Sequence, residues 1–332
     1  MASATTGATR DAFGEKLAEL GAAEPRLVVL DADLGGSTRT TAFMKKFPER
    51  RFELGIAEQN MIGAAAGLAL GGKIPVATSF ACFLTGRLET IRVCVAYNRT
   101  NVKLVGTHAG IGIGDDGPSQ MALEDVAAMR ALPGMTVLQP ADRAETRQAV
   151  EWMVRHDGPV YLRLTRQNVP EIHEPGYRFE FGKLDPLWPK DPEAEPDLPS
   201  LAFAPPNGKP RRQAAILATG GVVSNALEAA KDLQSRGFLA RVFNVHTLHP
   251  IDAEGVVRAA RASQRLVTVE DHNLAGGLGS AVAEALAAAG QATPLVRLGL
   301  SDFAESGTTE ELYAKYGLSA SHIVEAALRN LA

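Results

Sequence analysis

The chain has 332 residues, 45% of them apolar and 22% charged, with a formal net charge of −4. That length suggests two domains with packed cores, and the charge balance excludes the basic footprint of a nucleic-acid binder. No signal core opens the chain and no apolar run nears the roughly 18 residues of a spanning helix, so we expect a soluble cytoplasmic protein with no membrane partner. Cys82 and Cys94 lack metal-ligand spacing and read as reduced, buried thiols.

Along the chain, short β-rich runs alternate with helical patterns. Strands are predicted over 27–30, 102–106, 136–139 and 160–164, with helical periodicity over 141–155. Between Pro170 and Arg212 the composition breaks, with prolines at 175, 186, 189, 192, 196, 199, 205, 206 and 210. Proline at that density excludes helix or sheet interior and reads as a linker or excursion. Beyond it, strands are predicted over 214–218, 241–245, 266–269 and 295–298, and helices over 222–236 and 276–289. This alternation argues for an α/β protein of two domains, each a mostly parallel sheet covered by helices. We divide it into 1–170, a Pro-rich linker at 171–212, and 213–332.

One carboxylate stands out. Gly55-Ile56-Ala57-Glu58-Gln59-Asn60-Met61 runs into a stretch of small and apolar residues ending near Ala69. A buried carboxylate without a partner tends to take up a proton, and in a dry cleft it can hydrogen-bond to a ring nitrogen of a bound heterocycle. Taken alone, Glu58 is explained slightly better as an N-terminal helix acid facing the macrodipole.

Gly112-Ile113-Gly114-Asp115-Asp116-Gly117 satisfies the dinucleotide fingerprint after a predicted strand. Asp115 and Asp116 would place anions where a pyrophosphate should rest on backbone amides, and Pro118 follows at once. No acidic residue stands at the expected ribose distance. We therefore reject a dinucleotide site and expect a flexible polar loop whose carboxylates suit sugar hydroxyls.

Taken in order, the motifs resemble the C-terminal half of transketolase, a thiamine diphosphate-dependent family. They are Ala8-Thr9-Arg10, Leu30-Asp31-Ala32-Asp33 with Gly36-Ser37-Thr38, the Glu58 segment, Thr78-Ser79-Phe80-Ala81-Cys82-Phe83 and Thr107-His108-Ala109-Gly110. After these come Gly114-Asp115-Asp116-Gly117-Pro118-Ser119-Gln120, Leu164-Thr165-Arg166 and, farther on, Val269-Glu270-Asp271-His272 with Gly276-Gly277. The resemblance implies a pyrimidine-binding domain over 1–170 and the family's C-terminal domain over 213–332.

It also implies roles. Glu58 matches the glutamate that hydrogen-bonds N1′ of the thiamine aminopyrimidine and so sets its protonation, while the cofactor supplies the carbanion chemistry. Phe83 matches the ring stacked on the pyrimidine, and Phe80 lines the same pocket. His108, counted with Glu58 as catalytic, and Asp116 match residues that hold donor hydroxyls, and Gln120 a further hydroxyl contact. Arg10, Ser37 and Arg166 match the sugar-phosphate grip, for which guanidinium forks are suited. Without the family, each residue has an ordinary structural explanation. His246, His249 and His272 read as structural, and Glu124 and Asp125 as support for the loop. Gly86 stands where relatives carry a larger residue, with Arg87 one position later.

Members of the family also carry an N-terminal domain whose G-D-G…N motif holds a divalent metal (Mg2+, Ca2+ or Mn2+) and the cofactor's diphosphate. This sequence shows no such motif, and no metal ligand is assigned to it. The resemblance thus implies one subunit of a split transketolase, paired with an N-terminal subunit in an α2β2 heterotetramer. It would transfer a two-carbon ketol unit between sugar phosphates. The rivals are the β subunit of a 2-oxo acid dehydrogenase's decarboxylating component and a non-catalytic subunit that inherited the fold. The loop motif and Leu164-Thr165-Arg166 favour ketose phosphates.

Overall fold

A computed structural model of the chain describes residues 5–189 and 213–329. Its strands are β1 (Thr6–Ala8), β2 (Leu27–Asp31), β3 (Arg51–Glu53), β4 (Ile74–Phe80), β5 (Lys103–Thr107), β6 (Thr136–Leu138), β7 (Val160–Arg163) and β8 (Asn168–Pro170). The second half adds β9 (Asp185–Trp188), β10 (Gln213–Ala218), β11 (Leu239–Asn244), β12 (Thr247–His249), β13 (Arg265–Asn273) and β14 (Leu295–Leu300). All eight predicted strands are present, with ends shifted by up to a few residues.

One sheet has seven strands in the order β12-β6-β7-β5-β4-β2-β3, and another has five in the order β14-β13-β10-β11-β9. Within these two sheets every pairing is parallel except at two edges, where β12 runs antiparallel to β6 and β9 antiparallel to β11, and β1 and β8 form a separate antiparallel pair. Every residue of β2, β4 and β5 is buried. That is the signature of parallel strands covered by helices on both faces. The two-domain α/β expectation therefore holds. No helix among the described residues is long and apolar enough to cross a membrane.

The halves are stitched together. β12 comes from the second half of the sequence yet closes an edge of the first sheet. The 171–212 segment, expected as a linker, is docked along its described part. Its β9 carries Pro186 but sits at a sheet edge, where a missing N–H is tolerated. Beneath it, His173 bridges two carboxylates, Asp142 and Asp185, at 2.8 Å each. Asp142 also caps the Arg143–Arg155 helix by accepting from the Glu145 amide. The remainder, 190–212, lies outside the described residues.

In the first sheet the chain leaves β2 for β3 on one side and returns to β4 on the other. Such a reversal opens a crevice at the carboxyl ends of the strands, the usual ligand position in parallel sheets.

Candidate functional site

The carboxyl ends of β2, β4, β5 and β7 carry Asp31, Phe80, Thr107 and Arg163, and the turns beyond them carry most of the predicted site. Glu58 is the first residue of the Glu58–Leu70 helix and is only 5% exposed. Its Oε1 accepts from Ser79 Oγ at 2.9 Å, which ties the helix start to the end of β4. Among the described residues no hydrogen bond reaches Oε2. Glu58 lines an open groove with Gln59, Asn60, Gly63, Arg87 and Thr90. Arg87 thus stands at the rim, beside the exposed and unadorned Gly86.

One residue past Ser79, the Phe80 ring stacks on Phe83 at 5.4 Å with 7° between planes, and on His108 at 3.7 Å. His108 follows β5 directly and adopts a left-handed backbone, φ 59°, a conformation that costs a non-glycine residue about 1–2 kcal/mol. Its Nε2 lies 2.9 Å from Arg10 Nη1 and its Nδ1 lies 2.9 Å from Thr107 Oγ1. Arginine can only donate, so Nε2 accepts and Nδ1 carries the proton. Burial, and then the neighbouring Arg10, Arg166 and Arg39, push this imidazole down to about 3. His108 is a neutral ring.

Arg10 also donates to the Ser37 carbonyl at 3.0 Å. Arg10 and Ser37 are thus brought together, although Ser37 takes part through its backbone rather than its hydroxyl. Arg166 donates to the Ile113 carbonyl at 2.9 Å, and its Nε lies 3.8 Å from Asp116 Oδ2. Gln120 donates to Ser119 Oγ at 3.4 Å and makes no bond to this cluster. Sequence reasoning did not single out Arg39, which ion-pairs with Asp11 at 2.5 Å and whose charge adds to burial in lowering both Arg10 and His108. The only signal was its place two residues after Ser37.

The loop at Ile111–Asp116, expected to be flexible, is anchored. The amides of Ile111 and Gly112 donate to the Asp271 carboxylate at 2.7 and 3.0 Å. Thr309 Oγ1 donates to the Gly112 carbonyl at 3.0 Å. Intramolecular anchoring thus occupies the amides a dinucleotide would need, which agrees with rejecting that site. Asp125 accepts from Arg163 and Tyr161 at 2.8 and 2.6 Å. Burial pushes Asp125 up, but Arg163 and His272 outweigh it and leave the carboxylate low.

His272 is buried beside Asp125, His249 bonds the Met135 carbonyl and His246 bonds Thr247, so all three sit in packing roles away from the cluster.

The donor set fits the aminopyrimidine end of thiamine diphosphate. A carboxylate with one oxygen unengaged opens on a groove, and the strand end that holds it leads directly into a parallel aromatic pair. It does not fit the metal–diphosphate end. The one grouping among the described residues with metal-ligand spacing, Glu145, His173 and Asp185, lies under β9 rather than at this cluster. Both nitrogens of its histidine already face carboxylates.

Comparison with known proteins agrees. Residues 6–171 match the transketolase pyrimidine binding domain and 208–323 the transketolase C-terminal domain. The chain is 44% identical over 320 residues to a Methanocaldococcus jannaschii protein designated a transketolase C-terminal section, covering 95% of this chain and 94% of that one. It is 40% identical to a 6-deoxy-6-sulfo-D-fructose transketolase subunit of Clostridium sp., covering 96% of this chain and 92% of that one. A solved split-gene transketolase, described as an inactive β4 tetramer, superposes with a TM-score of 0.84 at 44% identity over 98% of both chains.

Proposed function

The chain belongs to the transketolase family, and from that premise we propose that it is the C-terminal subunit of a split transketolase. It transfers a two-carbon ketol unit from a ketose phosphate to an aldose. The observation that carries this reading is the joining of Glu58 to the end of β4 through Ser79, beside Phe80, Phe83 and the Arg10–His108 contact. One end of the cleft suits a heterocycle and the other an anionic sugar.

When bound, thiamine diphosphate supplies the carbanion chemistry of ketol transfer. Glu58 holds a hydrogen bond to ring nitrogen N1′ through the oxygen that Ser79 leaves unengaged, and Phe83 and Phe80 supply the stacking wall. His108, kept neutral with its proton on Nδ1, offers Nε2 as an acceptor to a donor hydroxyl once Arg10 turns to the substrate. Asp116 and Gln120 take donor hydroxyls. Arg10, Arg39 and Arg166 grip a tetrahedral oxyanion, and the Ser37 turn fixes where Arg10 points.

No residue of this chain is assigned to the diphosphate or its metal. An N-terminal subunit supplies both, giving an α2β2 assembly; the relative described as an inactive β4 tetramer is consistent with an incomplete site in this subunit alone. Titrating thiamine diphosphate and magnesium into the chain, alone and with its N-terminal partner, tests the proposal. Binding and ketol transfer are expected only in the mixture. Tight binding and full transfer by the chain alone would remove the partner from the proposal.

A related choice concerns the anion. The Clostridium relative is named for a sulfonated sugar, and three guanidinium groups suit sulfonate as well as phosphate. Turnover of fructose 6-phosphate against 6-deoxy-6-sulfofructose by the reconstituted enzyme decides between them, with the phosphate expected to be preferred.

A further inference from the structure

The loop that carries Asp116 is held from the opposite half of the chain. Asp271, on β13, is 3% exposed and receives three hydrogen bonds on its carboxylate: from the Ile111 amide, the Gly112 amide and Tyr313 Oη. Gln167 Nε2 donates to the same Tyr313 oxygen at 2.9 Å. The carboxylate is packed so closely that a Cβ at Gly110, where φ is +80°, would collide with it. Arg163 Nη2 donates to the Asp271 backbone carbonyl at 3.0 Å, fixing the strand from which the side chain projects.

From the anchored amides the loop runs directly to the candidate site. Ile113 accepts Arg166 Nη1 at 2.9 Å, and Asp116 lies 3.8 Å from Arg166 Nε. Gly114 breaks the turn at φ 80°, so the segment is two short rigid pieces rather than one helix that could hold its own position. Two loop amides rest on this buried carboxylate some 160 residues away in sequence, Thr309 adds a bond to the Gly112 carbonyl, and the residues that follow carry the Ile113 carbonyl and Asp116 to Arg166. Hydrogen bonds to a charged acceptor are about twice as strong as neutral ones, and here they fix backbone, which moves everything attached to it.

We propose that Asp271 is a positioning residue: by fixing the 111–116 loop it places Asp116 and Arg166, so the second domain sets how tightly an anionic donor binds without touching it. This rests on reading the Arg10–Arg166 cluster as the donor site. It assigns the C-terminal domain a part in substrate affinity beyond packing.

Two variants test it, Asp271→Asn and the milder Tyr313→Phe, which removes one bond and leaves the buried carboxylate in place. Hydrogen exchange measured on the chain is expected to speed up by about tenfold or more across 110–116 in Asp271→Asn, and by less in Tyr313→Phe, with β4 and β5 unchanged. In the complex with the N-terminal subunit, KM for fructose 6-phosphate is expected to rise about tenfold while kcat stays within about threefold and the affinity for thiamine diphosphate is unmoved. Unchanged loop exchange in a folded Tyr313→Phe and Asp271→Asn pair overturns the anchoring. Equal losses in kcat, donor KM and cofactor affinity overturn the positioning role in favour of general damage. Absence of ketol transfer by the wild-type complex would instead sink the functional reading, and the exchange result would still decide the anchor.

Discussion

At the scale of single residues, His108 shows how surroundings settle a protonation state that sequence leaves open. An isolated imidazole titrates near 6.5, within the range of ordinary assays. Here burial and three arginines hold it at about 3, and Arg10's one-way donation fixes the tautomer. The His108 ring signal in an NMR titration of the chain is therefore expected to stay flat from pH 5 to pH 8; a midpoint near 6.5 would contradict the Arg10 contact. Glu58 makes the complementary case. Its motif singled it out, but only Ser79 and the aromatic pair distinguish a cofactor contact from a helix-terminal acid. Glu58→Gln in the reconstituted enzyme is expected to lower kcat by about 100-fold or more while leaving the melting temperature of the chain nearly unchanged. Unchanged turnover would favour a non-catalytic subunit.

Among elements, periodicity exposed what was regular and missed what was held by its neighbours. The eight predicted strands were visible because β-branched runs alternate with helical patterns. β4 was not, because Pro75 and the polar Thr78-Ser79 interrupt its apolar run, although it is fully buried at the centre of the sheet. Proline is tolerated there because Pro75 lies beyond the pairing with β5, which begins at Val76. β9 escaped for a related reason, since its prolines mark an edge. Within the 171–189 stretch, His173 is the charged clasp beside the β9 pairing and the Tyr177–Glu145 bond. Burial would pull that ring down, but the hydrogen bonds it donates to Asp142 and Asp185 keep it up at about 10. Because the folded value lies above the unfolded one, the clasp stabilises fully below about pH 6.5 and fades as pH rises toward about 10. His173→Gln is expected to cost about 1.5–3 kcal/mol at pH 6. In denaturant titrations at pH 6, 8 and 10 the gap from wild type should shrink steadily. A gap independent of pH would mean the histidine is not charged.

Over the whole molecule, the candidate site is built on contacts between residues far apart in sequence. Asp271 to the loop and β12 to β6 both join the two halves, and no local pattern could announce either. The surface tells a second story. Ile56 is 85% exposed, Leu70 76% and Tyr97 83%, and all three belong to the Glu58 helix, its approach, or the Ile91–Tyr97 π-helix packed against it. Scattered exposed apolar side chains need no explanation, whereas several carried by one pair of packed helices and the approach to it offer a place for another chain. Under the split-enzyme reading that chain is the N-terminal subunit, because the cofactor whose pyrimidine faces Glu58 must present its diphosphate to the same side. A charge placed there should oppose burial of the interface without disturbing a core that Tyr97 does not enter. Tyr97→Glu is accordingly expected to leave the chain folded by circular dichroism and to weaken assembly with the N-terminal subunit by about tenfold or more in sedimentation experiments. Ketol transfer should fall in parallel and return at high subunit concentration. Assembly at wild-type affinity would move the partner's docking face away from the Glu58 groove, and with it the means by which the second half of the cofactor is held.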